Sequence, residues 1–88
     1  MTLGGQEWEL RGWDDAFLDW FRSDEVVTCE ILLRVIDWGV QALGNGPPRL
    51  VATPGDLANE FDARVPGTDL VVTYLEVGNA VVVVIIGR

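Results

Sequence analysis

The side chains able to do chemistry are few, and most of them are carboxylates. Glu60 and Asp62 stand two apart in residues 57–64, a segment that alternates polar and apolar. On a strand both would leave the same face. A carboxylate pair so placed can exchange protons with a substrate or hold a divalent cation. The plainer reading, a charged solvent face, is favoured because acidic residues are almost never buried unless paired. Asp14, Asp15 and Asp19 form a second acidic cluster, read first as helix capping and complement to the helix dipole. The chain has no His and one Cys, Cys29. A Ser-His or Cys-His nucleophile is therefore excluded, and neither cluster has the nitrogen or sulfur ligands of a zinc or iron site. Gly44-Asn45-Gly46 is not a phosphate loop, since it follows a helical pattern and the chain contains no Lys. No cofactor is implied.

Charge narrows the partners. Fourteen acidic residues against six basic ones give a net charge of −8. Non-specific nucleic-acid binding needs cations against phosphates and is not expected. An acidic surface suits a basic protein partner, or simply solubility. Trp13 and Trp20 lie seven apart, on one helical face, among Asp14, Asp15 and Asp19. Exposed, such a pair would anchor a protein interface; the alternative is that both cover the edge of the core. Arg64, two residues from Asp62, is expected to form a surface ion pair. Cys29 sits in an apolar helical pattern and reads as a small hydrophobe.

The elements that must position these residues follow from periodicity. The 88 residues, 49% of them apolar, suit one domain spanning 1–88. Residues 1–6 read as a frayed start. Residues 7–11 alternate and predict a short strand burying Trp8 and Leu10. Asp14 is placed to cap a helix through residue 21, and Ser23 to cap a second with Asp24 and Glu25 in its first turn. In that second helix Val27, Ile31, Val35 and Trp38 form the core stripe, and Leu32, Ile36, Val40 and Leu43 widen it. Glu30, Arg34, Asp37 and Gln41 carry its exposed side. Residues 44–48, Gly-Asn-Gly-Pro-Pro, end it. Residues 49–56 read as a loop, or at most an edge segment, and 57–64 as a strand. Pro66-Gly67 predicts a type II turn. Residues 70–88 read as a hairpin turning at Gly78-Asn79. Its second arm, residues 80–86, has no polar residue, so the strand must be central with both faces covered. That apolar run is far shorter than the ~20 residues of a membrane-spanning helix. With no basic, apolar leader at the start, a cytoplasmic protein is expected. The class is α+β: β-α-α-β-β-β, an antiparallel sheet with a helical hairpin packed on one face.

From Trp8 to Arg88 this pattern resembles the RelE/ParE superfamily of toxins from toxin–antitoxin modules. The resemblance rests on the first strand and two helices, the Leu43-Gly44-Asn45-Gly46-Pro47 bend, Phe61-Asp62-Ala63-Arg64 at a strand end, and the valine-rich closing pair that ends in Gly87-Arg88. It implies a toxin-family protein bound by an antitoxin segment over the hairpin or sheet. In the endonuclease branch a basic constellation, often with a Tyr or His, stabilises the anionic transition state. Carried over, that role falls to Arg64, Tyr74 and Arg88, while Glu60 and Asp62 occupy positions where the branch has lysines. The expectation is therefore a family member degenerate as a ribonuclease and acting through protein binding. Its candidate binding residues are Trp13, Trp20, Asp14, Asp15, Asp19, Glu60 and Asp62. The other reading is an acidic, non-catalytic inhibitor that blocks a basic nucleic-acid-handling protein. In either case a second copy is a candidate to cover the open sheet face or the helical hairpin.

Overall fold

A computed structural model describes residues 8–48 and 51–88; the expected frayed start, Glu7 and Arg49 fall outside it. The chain runs β1 (Glu9–Arg11), α1 (Trp13–Ser23), α2 (Cys29–Asn45), β2 (Ala52–Pro54), β3 (Glu60–Arg64), β4 (Val71–Val77) and β5 (Ala80–Gly87). This is the expected α+β class, with one more strand than the pattern predicted. The addition, β2, comes from the segment read as loop or edge, and it is a three-residue edge strand. Pro54 is tolerated there because an edge needs no donor on its outer side.

The strand order is β1-β5-β4-β3-β2. Strands β2 to β5 form an antiparallel meander, but β1 pairs with β5 in parallel. The sheet is mixed, not wholly antiparallel as expected. Turn chemistry specifies the meander: Pro66-Gly67 turns with Gly67 at φ 79, and Thr68 N–H donates to the Val65 carbonyl at 3.1 Å. At the hairpin only Gly78 has positive φ, which fits a II′ turn. No such local signal fixes how β1 meets β5, since both helices and three strands separate them.

Strand β5 lies inside the sheet as expected, but its two faces are not both covered: among the described residues only the helix side is packed. Val81 and Val83 point into the core, Val84 and Ile85 both point out, and Ile86 points in again. A bulge causes the change of parity: Thr73 pairs with Ile85 and Tyr74 with Val83, leaving Val84 without a partner across the ladder.

Both helix starts differ from expectation. Helix α1 begins two residues early, with Gly12 rather than Asp14 at the N-cap and no side-chain cap, and it continues through Ser23. The Asp24 carboxylate is used instead in a local turn, accepting from Val26 N–H at 2.9 Å. Helix α2 therefore starts only at Cys29, capped by Thr28, whose hydroxyl accepts from Ile31 N–H at 3.2 Å. Val35 and Trp38 enter the core, with Val27, Ile31 and Leu32 at its margin.

Two glycines fix how the chain crosses itself. A Cβ on Gly39 would stand 2.9 Å from the Trp13 ring, so its absence lets α1 lay that ring against α2. Gly12 joins β1 to α1 at φ 70, and a Cβ there would stand 2.4 Å from the Val83 carbonyl oxygen. Gly12→Ala combines left-handed strain with a clash against sheet backbone. It should cost at least about 2 kcal/mol of stability, read from urea denaturation midpoints.

Candidate functional site

The three residues that the resemblance assigns to catalysis do not meet. Tyr74 is fully buried on the helix side of the sheet, stacked on Phe61 at 5.7 Å and tilted against Trp38 at 5.9 Å. Arg64 pairs with Val71 on the outer face of β3 and forms no ion pair among the described residues, so the expected bridge to Asp62 is not made. Arg88 is held at the end of β5 by two carboxylates, Asp69 and Asp24. Tyr74 thus lies beneath the sheet that carries Arg64 above it.

The Arg88 contact is structural. Asp24 gathers the α1–α2 turn: its Oδ1 accepts from Val26 N–H, and its Oδ2 accepts from Trp20 Nε1–H at 2.8 Å and from Arg88 Nη2–H at 3.0 Å. The Val26 amide, with help from Trp20 and Arg88, holds the Asp24 carboxyl below its usual range against a smaller opposing effect of burial.

Glu60 and Asp62 leave the same outer face of β3, as alternation predicted. Asp62 accepts a hydrogen bond from the Thr73 hydroxyl at 2.7 Å, across the strand pair. Asp14, Asp15 and Asp19 are all exposed on α1. The exposed tryptophan pair is not formed. Trp20 is 3% exposed, with its N–H committed to Asp24, and Trp13 is half-buried on Trp38, with ring centroids 6.2 Å apart and planes within 5°. The start of α1 two residues before the expected one places Trp13 inside the helix, and the missing Cβ of Gly39 leaves room for its ring against α2.

The sequence reading missed the surface that most needs a partner. Cys29, Leu33, Ile36, Val40 and Leu43 run along the solvent side of α2, and the four larger side chains are 42–60% exposed. The reading had placed Ile36, Val40 and Leu43 in the core stripe. Their spacing of four, three, four and three is that of a coiled-coil seam, which was the available signal: one helix on one sheet cannot bury a second stripe. At 100° per residue Glu30 and Asp37 border the seam on one side. Helix α1 borders the other, where Trp13 packs on Gly39, and it carries Asp14, Asp15 and Asp19. At the seam's C-terminal end an open hollow of about 450 Å³ is lined by Leu10, Gly12, Trp13, Asp14, Asp15 and Leu43. Three of the predicted binding residues, Trp13, Asp14 and Asp15, thus meet the seam there. Glu60 and Asp62, on the far side of the sheet, do not.

Comparison with protein-family models, with curated proteins and with solved structures finds no match to this chain. No helix among the described residues is long and apolar enough to cross a membrane.

Because the Asp24 carboxyl is lowered in the fold, its contribution to stability is complete above the unfolded value of about 3.9. It is lost as pH falls through the lower folded value. Asp24→Asn should therefore lower the unfolding midpoint at pH 7, and the gap between wild type and variant should narrow steadily below about pH 4. Midpoints measured across an acid series check this.

Proposed function

We propose that this chain is a non-catalytic, protein-binding member of a RelE/ParE-like toxin family, working in a toxin–antitoxin or stress module. The α2 seam with its acidic borders carries the reading. An exposed 3-4 apolar stripe on a helix is matched by a second helix with the same spacing, and acidic margins select basic flanks on that helix. The partner of this chemistry is a cationic amphipathic segment, such as an antitoxin would supply. The order of one strand, two helices and a meander supports the family. The dispersal of Arg64, Tyr74 and Arg88 supports action without catalysis.

The second reading, an acidic inhibitor of a basic nucleic-acid-handling protein, draws on the helical face. That face exposes Asp14, Asp15, Asp19, Glu25, Glu30 and Asp37 against Arg22 and Arg34.

Induced expression tests the proposal. Wild type should slow growth, and a co-expressed cationic amphipathic helix should relieve the effect. Arg64→Ala should leave the effect intact, and Val40→Asp, in the middle of the seam, should keep the effect but escape relief by that helix. Relief by Arg64→Ala with recovery of translation would overturn the non-catalytic reading. Unhindered growth would favour the inhibitor, whose binding to a basic partner should weaken steeply with salt.

A further inference from the structure

The outer face of the sheet is a second surface, on the side opposite the seam. Its centre is apolar: Val71, Leu75, Val82, Val84 and Ile85 all point away from the helices, and Val84 and Ile85 are more than half exposed. Its charge differs from the rest of the molecule. The helical face exposes six carboxylates and two guanidiniums. The sheet face carries Glu9, Glu60 and Asp62 against Arg11 and Arg64, close to balance in a chain of net charge −8. Two copies meeting through their helical faces repel, whereas two meeting through their sheets do not.

Register makes the balance specific. Arg11 pairs with Val82, Val82 with Leu75, and Leu75 with Glu60. One row across four strands therefore reads Arg11, Val82, Leu75, Glu60, with a cation at one end, an anion at the other and two apolar residues between. A two-fold axis lying between two stacked sheets, parallel to the strands, reverses this row upon itself. Arg11 then faces Glu60 of the second copy, and Val82 faces its Leu75. Arg11 now bonds Glu9 on its own strand at 2.8 Å, with both side chains more than half exposed, and exposed pairs of this kind contribute little stability and are readily exchanged.

We propose that the outer sheet face is the homodimer interface of this protein, two sheets packing face to face about that axis. The 26 strand residues, at roughly 16 Å² of sheet each, give a footprint of about 400 Å² per copy. The pair covers about 800 Å² before side-chain relief is added, the size of a weak, reversible interface. The expected dissociation constant is on the order of 10 µM. The proposal is independent of the seam, which the dimer leaves open on its two outer surfaces.

Sedimentation equilibrium of the full chain between about 1 and about 500 µM tests it. Wild type should pass from monomer to dimer. Arg11→Glu should raise the dissociation constant at least about tenfold, by placing like charges across the axis. Arg11→Glu with Glu60→Arg, which restores the row in reverse, should return it to within about threefold of wild type. Ile36→Lys, on the seam, should change nothing. Circular dichroism confirms that each variant folds. A monomer throughout the range, a failure of the double exchange to restore dimerisation, or a dimer dissolved by Ile36→Lys would each overturn the proposal.

Discussion

Everything in this fold depends on a continuous run of aromatic rings through its centre. Phe61 on β3 stacks on Tyr74 of β4, Tyr74 meets Trp38 of α2, Trp38 stacks on Trp13 of α1, and Phe17 and Phe21 continue the run along α1. Neighbouring centroids lie 5.7–6.2 Å apart, the range in which ring pairs add about 0.5–1.5 kcal/mol each beyond burial. The run ties sheet to α2 and α2 to α1, so it fixes the stacking of the layers as well as their cohesion. It also explains Gly39, since a side chain there would push Trp13 off Trp38.

Filling the helix side with large rings leaves the molecule asymmetric. The core takes the inner faces of β3, β4 and β5 and one stripe of α2, and nothing in the chain's described residues covers the other stripe of α2 or the outer face of β5. The two uncovered surfaces differ in character. One is a helical seam with acidic margins; the other is a flat sheet with opposed charges at its edges. A single layer of helices on a single sheet cannot bury an all-apolar central strand on both sides. The sequence of β5 therefore already specifies a surface that monomeric proteins seldom leave open.

How much of this was legible in the sequence depended on how local the determining interaction was. The hairpin, the Pro66-Gly67 turn, the end of α2 and the alternation of Glu60, Asp62 and Arg64 are set by neighbouring residues and were read as they stand. The start of α2 was misplaced because Ser23-Asp24-Glu25 and Thr28-Cys29-Glu30 both resemble helix caps. The contacts of Asp24 with Val26, Trp20 and Arg88, the last from the far end of the chain, decide between them. The parallel pairing of β1 with β5 and the bulge at Val84 have no local signature. Among the candidate site residues, position in the strand placed Glu60 and Asp62 on one face. Whether Trp20 lay inside or out depended on a hydrogen-bond partner that spacing does not reveal, and Tyr74 proved to be core.

The pairing of β1 with β5 also bears on how the chain reaches its structure. These are the first and last strands in chain order, yet they lie side by side, and β5 is the strand through which β1 joins the meander. The helices and hairpins can form from local contacts within microseconds. Closing β1 on β5 must overcome the entropy of a loop that contains nearly the whole domain, with no return until it shuts. High contact order of this kind slows folding. Until that contact closes, the edge of β5 opposite β4 is free, and the most apolar strand of the chain is the one left waiting for a partner.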